Sequence, residues 1–448
     1  MAISEGLRVA LNEIRATSID NNTLYGKSVV EILPDTDIGT FAAPIVADQT
    51  IANEFMSQLV KRIVYTQVSS KVFNNKLKDL EGDRIPLGAI GEEIHINPIQ
   101  GRLFNVDDFA GLLAKYEAQV QVQYPAINMD IQYPVTITRE KLRSAFISWE
   151  SLNDFVTGIS NALYSGAYID NYRFTRMLVS NAYQNNAAVI EQVSAVTDEA
   201  SGKALVKALR KAYLDFQEPT SANNAWNKVG GYGNEVVTWS NPEDIVLLIR
   251  NDILTNIDVD VLSAAFNMSK TDFLASKVYG VRDFDLYNEQ GTKTFDGSAI
   301  QCIIADKSWF RIKPQDLSLD EFYNANNRCW NLYLNSVYMY QFSLFANARI
   351  MATSIPEVAP TKITFTTPAA SAVVKAGETL ELPVVTDPFQ ANKTITYTSG
   401  TTSKATIAAK EGNNKVAVVT GVSAGTSVIT ATCGNVTGTI TVTVQAAE

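Results

Sequence analysis

The chain has 448 residues, of which 46% are hydrophobic and 19% are charged, and its formal net charge is -10. This length is sufficient for two or three domains with sizeable cores, and the composition excludes a disordered chain, which would be rich in charge and poor in aromatic residues. Tight nucleic-acid binders carry a basic face, so the acidic balance disfavours that class, although a local basic patch stays open.

The cysteines and the apolar runs indicate in which cellular compartment the protein is made. Cys302, Cys329 and Cys433 are far apart and form no CxxC pair, which predicts buried free thiols in a reducing compartment. Residues 1–18 contain acidic residues and no unbroken apolar run, unlike a secretory signal. The apolar run at 244–249 is far shorter than the ~18 residues that cross a bilayer. We therefore expect a soluble protein without a membrane segment that starts in a cytoplasm.

The first hundred residues predict an arm, a helix and an extended hairpin. Residues 1–47 are mixed and contain Pro34, Gly39 and Pro44, which indicates an arm, whereas apolar residues recur every four positions after an N-cap at Asp48. Residues 71–100 contain the turn signal EGD and the alternating stretch EEIHINPI, which predicts a hairpin. This hairpin has few large apolar residues, so we expect a neighbouring subunit to hold it.

The next segments predict a long helix and then a mixed region. An apolar stripe runs from about Ser151 to Tyr183, with Ser151 and Asp154 as a capping pair and with Gly158 and Gly166 as points where a break is possible. Between 203 and 350 the patterns indicate a helix (KALVKALRKAYLDF), two buried strands (DIVLLIR and AIQCIIAD), a short helix (VDVLSAAFN) and an aromatic-rich strand region (NLYLNSVYMYQFSLFANA). This order favours an α+β class.

The composition changes after the proline-bearing segment 354–362. Residues 359–448 contain no Arg, Trp, Met or His, and they hold 6 lysines and 5 acidic residues. Seven short alternating stretches follow: KITFT, TLELPVV, TITYTS, ATIAA, KVAVVT, SVITAT and TGTITVTV. Seven strands in about 90 residues are typical of an immunoglobulin-like sandwich.

No stretch of the sequence carries a specific catalytic or metal-binding motif. His95 is the only histidine, so zinc motifs that need two histidines are excluded, and neither a P-loop nor a GxSxG elbow occurs. The glycines of GGYGNE at 230–235 lack the helix of a dinucleotide site, and Asp258 with Asp260 lacks the rest of a calcium loop. We predict no catalytic residue, no cofactor and no metal.

Two resemblances account for these features. The stretches AGETLELPVV and GVSAGTSVITATCGNVTGTITVTV resemble the bacterial immunoglobulin-like group 2 module, with Tyr397 where that module usually has Trp. The stretches QTIANEFMSQLVKRI, RIPLGAIGEEIH, KLRSAFISWESLNDFVTGISNALY, DVDVLSAAFNMSKTDFLASKV and SLFANA resemble the major capsid proteins of small short-tailed phages of the phi29 type. That resemblance implies the Hong Kong 97 (HK97-like) capsid fold, with an N-terminal arm, an extended loop, a spine helix, and peripheral and axial domains.

The resemblance implies the following domain boundaries: 1–70 arm and helix; 71–100 extended hairpin or E-loop; 101–202 peripheral domain with spine helix; 203–330 axial domain; 331–353 return strands; 354–362 linker; 363–448 immunoglobulin-like domain. It implies a shell of hexamers and pentamers, a scaffolding protein, a portal protein, weak non-specific contact with packaged double-stranded DNA, and assembly in the host cytoplasm. We predict subunit contacts at the hairpin charges Asp79, Glu81, Asp83 and Arg84.

Two other classes stay open on sequence alone. A bacterial surface adhesin or wall-attached binding protein would also carry a terminal immunoglobulin-like module, although it would need a signal peptide. A polysaccharide-degrading enzyme would use an aromatic platform, for which FYNANNRCWNLYLNSVYMYQF is the candidate, and a pair of carboxylates that the sequence does not single out.

Overall fold

A computed structural model describes residues 3–65, 73–86, 91–99, 101, 114–229, 235–257, 278–288 and 291–446. The predicted helix VDVLSAAFN and the glycines of 230–233 lie outside this part. Two compact units form, one from Met1–Glu92, Tyr124–Arg176 and Phe310–Gln341, the other from Glu93–Gln123, Met177–Trp309 and Phe342–Glu448. Within the described residues, no helix is both long enough and apolar enough to cross a membrane.

The described helices and strands are as follows. The helices are α1 (Glu5–Asp20), α2 (Leu24–Ser28), α3 (Ile38–Ala47), α4 (Gln49–Tyr65), α5 (Arg139–Ala145), α6 (Trp149–Gln184), α7 (Glu199–Asp215), α8 (Trp226–Val229) and α9 (Asn251–Leu254). The strands are β1 (Glu93–Ile96), β2 (Val120–Gln123), β3 (Met129–Thr138), β4 (Val189–Gln192), β5 (Ile245–Arg250), β6 (Val278–Val281), β7 (Leu286–Tyr287), β8 (Lys293–Phe295), β9 (Ile300–Asp306), β10 (Phe310–Asn324), β11 (Cys329–Phe342), β12 (Ala348–Ala352), β13 (Lys362–Phe365), β14 (Val373–Lys375), β15 (Thr379–Asp387), β16 (Thr396–Ser399), β17 (Ala405–Lys410), β18 (Asn413–Gly421), β19 (Gly425–Cys433) and β20 (Val436–Gln445).

The N-terminal residues belong to the core of the first unit, so the expectation of an arm over residues 1–47 was wrong. Leu7, Leu11 and Ile14 recur on one face of α1 and are buried. They share a core with Tyr25 of α2 and Phe41 of α3. The reason is physical: fully burying one such side chain contributes about 1.5–3 kcal/mol, and this segment supplies many of them.

The helix α4 confirms the sequence prediction. It begins at Gln49, and the Asp48 carboxylate accepts a hydrogen bond from the Thr50 N–H at 2.7 Å. Ile51, Phe55 and Leu59 are buried on one face. The side chain of Ile63 lies outside the described part.

The long helix α6 has 36 residues and continues through Gly158 and Gly166. At 1.5 Å per residue its length is about 54 Å. The predicted cap at Ser151 was wrong by one turn, because the Ser148 hydroxyl accepts the Ser151 N–H at 3.0 Å. The helix ends at Gln184. Asn186 follows it with a left-handed φ of 49°, and hydrogen bonds run from Asn186 N–H to Tyr183 O and from Ala187 N–H to Ala182 O.

The second unit contains a five-stranded sheet of order β4-β12-β9-β5-β6. The predicted strands DIVLLIR and AIQCIIAD are confirmed as β5 and β9, whose residues are almost all buried. The predicted helix α7 is also confirmed. Its Leu205 and Leu209 pack with these strands, as does Phe216 just after its end.

The C-terminal residues form the expected all-β sandwich. Its sheets have the orders β13-β15-β18-β17 and β14-β20-β19-β16. Each of the seven predicted stretches contains a strand, and β14 is an addition. It pairs in parallel with β20, whereas β13 pairs with β15, so the first strand of the sandwich is divided between both sheets. We call this sandwich the terminal module.

Candidate assembly surface

The strands β1 and β2 form a two-stranded antiparallel ribbon with an unusual distribution of side chains. Ile94 lies opposite Val122, and Ile96 lies opposite Val120. Since side chains alternate between the faces of a strand, these four residues share one face and His95 with Gln121 lies on the other. We call the four-residue surface Ile94, Ile96, Val120 and Val122 the ribbon face.

The ribbon face points to solvent in the single chain. Ile94 is 55% exposed, Ile96 is 59% exposed and Val120 is 49% exposed. The polar face lies against other residues of the second unit instead: the His95 ring stacks on Phe345, with ring centroids 5.5 Å apart. This order reverses the usual rule for a half-buried strand, which places apolar residues inward.

Polar contacts hold the base of the ribbon. The Ser343 hydroxyl donates to the Glu93 carboxylate at 2.6 Å, and the Leu344 N–H donates to the Gln123 side chain at 3.0 Å. After β1, the Asn97 side chain accepts the Val237 N–H at 3.0 Å. These contacts position the ribbon face without covering it.

The predicted hairpin over 71–100 was wrong in its pairing. The partner of β1 is β2, which begins at Val120. In the described residues 73–86 the chain forms a short 3-10 turn and then follows β10, where the Gly82 N–H donates to Ile312 O at 2.8 Å and the Ile85 N–H donates to Pro314 O at 2.9 Å. Leu77 and Leu80 are buried, so this segment packs on its own chain.

The four charged residues predicted in this segment differ in their surroundings. The Glu81 carboxylate accepts hydrogen bonds from Asn171 at 3.2 Å and from the Tyr338 hydroxyl at 3.4 Å, and burial raises its pKa. Arg84 donates to Gln315 O at 2.8 Å and to Asp316 at 3.1 Å. Asp79 and Asp83 are exposed. The premise that the segment has no support on its own chain therefore fails for Glu81 and Arg84.

The cysteines and His95 are the side chains that the sequence offered as possible nucleophiles or metal ligands. Cys302, Cys329 and Cys433 are buried, and burial raises the pKa of the Cys302 thiol. His95 is half-buried against Phe345, and its Nε2 lies 3.2 Å from the Asn97 side-chain oxygen. No group of three or more His, Cys, Asp or Glu residues there could hold a metal ion.

Three strands in one sheet of the terminal module have an outward side that is rich in threonine. The strands β16, β19 and β20 contain no Lys, Arg, Asp or Glu. Their outward positions carry Val428 and nine threonines: Thr396, Thr398, Thr426, Thr430, Thr432, Thr437, Thr439, Thr441 and Thr443. The inward positions Ile429, Ala431, Ile440 and Val442 are buried.

The fold of the chain resembles that of a solved structure. The capsid structure of Staphylococcus phage Andhra is similar, with a TM-score of 0.52 and 15% sequence identity, over 64% of this chain and 87% of that chain. This likeness shows that the chain has the fold of a phage capsid structure.

The sequence comparison gives the family. Residues 11–352 match the phi29-like phage major capsid protein family, and the chain belongs to it. The major capsid protein of Bacillus phage PZA is 28% identical over 72% of this chain and 68% of its own length. The major capsid protein of Bacillus phage B103 is 27% identical over 82% of this chain and 77% of its own length. Residues 359–444 match the bacterial Ig-like domain of group 2.

These comparisons confirm the main sequence predictions. The chain is a structural capsid subunit of the virion that assembles into a multi-subunit shell, and it is not an enzyme. The adhesin and the polysaccharide-degrading enzyme are thereby set aside.

Proposed function

We propose that copies of this chain form hexamers and pentamers, that a scaffolding protein directs their closure around a portal protein in the host cytoplasm, and that the shell encloses double-stranded DNA. The net charge of -10 supports weak, non-specific contact with that DNA, since an acidic inner wall does not retain phosphates. Within this scheme the part that reaches a neighbour is the ribbon of β1 and β2, in place of a hairpin within residues 71–100.

The ribbon face is the observation that supports subunit contact most strongly. A two-stranded ribbon is at best marginally stable in water, and it becomes stable when an apolar face is covered. Here the polar face is the one that meets the chain itself, so the cover for Ile94, Ile96 and Val120 comes from outside the chain. In a shell the partner available to every copy is a second copy of the same chain.

The exposed carboxylates Asp79 and Asp83 are a second, weaker contact in this proposal. Exposed ion pairs typically contribute 0–1 kcal/mol, so these residues would select a partner orientation more than they would stabilise the contact. Glu81 and Arg84 have their partners within the chain, so they are not part of this proposed contact.

The ribbon face can be tested by a double substitution, Ile94→Asp with Ile96→Asp, in cells that also make the scaffolding and portal proteins of the same phage. Both side chains are exposed, so the variant is expected to fold and to stay unassembled. The control is Leu214→Asp on α7, which is 49% exposed and does not belong to the ribbon. Sedimentation and electron microscopy give the readout. Closed shells from the double variant, in wild-type yield, would contradict the proposal.

A further inference from the structure

The connecting segment, residues 354–362, leads into the terminal module. It is hydrogen-bonded at several points to one loop of the module. The Asn392 side chain accepts the Val358 N–H at 2.7 Å and donates to Pro356 O at 2.8 Å. The N–H groups of Asn392 and Lys393 donate to Val358 O at 3.0 Å and 3.2 Å. The Thr361 hydroxyl donates to Asp387 O at 2.8 Å. We call residues 387–393 the docking loop.

The docking loop is itself fixed from inside the module. Lys415 on β18 donates to the Thr386 hydroxyl at 3.0 Å, and its ammonium group lies 4.9 Å from the centre of the Phe389 ring. It also donates to Phe389 O. Ala391 is 2% exposed. The loop therefore has little freedom to move separately from the sandwich.

The same loop contacts the end of the long helix. Asn186, which closes α6, is 3% exposed, and its side-chain amide donates to Gln390 O at 2.9 Å. Tyr183, one turn earlier, donates its hydroxyl to Ser354 O at 2.7 Å, so the chain leaving the body is held at the same place. The end of α6, the connecting segment and the docking loop are thus joined to one another by hydrogen bonds.

We infer that the terminal module is clamped to the end of α6 in one orientation, and that the connecting segment acts as a strap in place of a free linker. Asn186 and Asn392 are its positioning residues. Asn186 joins the helix to the docking loop, and Asn392 joins the docking loop to the strap. A consequence is that every subunit of a shell presents the same face of its module at the same angle, since a hinge at 354–362 would require these bonds to break.

Proteolysis of the full-length chain measures how often the strap opens. Thermolysin cuts before apolar residues such as Val358, and cleavage of a native segment follows the population of its open form. Asn186→Gly keeps the left-handed helix end, which glycine adopts readily, and removes the bond to Gln390. Loss of one such bond is expected to raise the cleavage rate about fivefold. Asn392→Ala removes two bonds and is expected to raise it about twentyfold.

The control is Asn185→Ala. Asn185 is adjacent to Asn186, but its side chain donates to Asn181 O in α6, so this substitution should leave the cleavage rate unchanged. Hydrogen exchange at the Val358 amide of the wild-type chain gives a readout that does not depend on how the variants fold, and strong protection is expected. Exchange at the rate of an unstructured peptide would overturn the clamp. Wild-type cleavage of Asn186→Gly, with faster cleavage of Asn392→Ala, would also overturn it, because the strap would then be tied to the module alone.

Discussion

The ribbon and the terminal module use the same alternation of apolar and polar residues and place it in opposite ways. In the module, Ile429, Ile440 and Val442 point to a second sheet of the same chain, while threonines face outward. In the ribbon, Ile94 and Ile96 face outward, and His95 faces the body. Alternation therefore predicts a strand, but which face is covered depends on whether a second layer exists within the chain. The module completes its own core, and the ribbon requires another molecule.

The largest expected difference comes from one substitution made in both places. Ile429→Ala removes a fully buried side chain and should lower the free energy of unfolding of the module by about 2–5 kcal/mol. Ile96→Ala, at 59% exposure, should change the stability of the unassembled chain by no more than about 0.5 kcal/mol. Urea unfolding of both variants, followed by circular dichroism, measures the contrast. Equal losses would mean that the ribbon face is already covered within the chain.

A smaller effect is expected from exchanging valine for threonine on the two faces of the module. Val442→Thr places a hydroxyl in the core of the module, where it loses its hydrogen bonds to water. This substitution should lower the free energy of unfolding of the module by about 1–3 kcal/mol. Val428→Thr extends the existing row of exposed threonines and should be nearly neutral, since Val428 is 48% exposed. Thermal unfolding of the two variants gives the comparison, and a loss for Val428→Thr as large as that for Val442→Thr would contradict the assigned faces.

The smallest expected effect on stability concerns Glu81. The sequence pattern assigned Glu81 to the hairpin, whereas in the structure it is bonded to Asn171 and Tyr338 of its own chain. Burial raises the pKa of its carboxyl. The protonated carboxyl therefore makes its full contribution to folding stability below the ordinary glutamate pKa. That contribution is lost as pH rises through the raised pKa of the folded state. Glu81→Gln should remove that loss, so the variant gains stability relative to wild type between pH 4 and pH 7.

Urea unfolding at several pH values within that range tests the sign. Glu411→Gln is the matched control, because Glu411 is exposed on the module. A variant that becomes less stable than wild type as pH rises would show that the ionised carboxylate stabilises the fold. Shell yield should stay unchanged for Glu81→Gln, in contrast to the ribbon substitutions.

Much of the fold follows from local pattern, as the four-residue spacing of α4 and the apolar runs of β5 and β9 show. Several of the elements that the sequence patterns missed are short or irregular. Pro44 lies inside α3 and resembled a break, and β14 has only three residues. The helix cap was missed because Ser148 and Ser151 are both serines in suitable positions, and only the hydrogen bond distinguishes them.

The candidate site was harder to predict than the fold, because it depends on pairing between distant segments. β1 pairs with a strand that begins 24 positions after its last residue, whereas the turn signal at 81–83 suggested a local partner. Leu77 and Leu80 were the signal that residues 73–86 pack on their own chain. The exposure of Ile94 and Ile96 had no local signal, since an alternating strand reads the same from either face.

The most direct measurement is a cryo-electron microscopy map of the assembled shell at a resolution that shows side chains. The account predicts that Ile94, Ile96 and Val120 lie within about 4.5 Å of apolar atoms of a second copy of the chain, the distance of ordinary apolar contact. A shell in which the ribbon face stays open to solvent, with the subunits joined elsewhere, would contradict it.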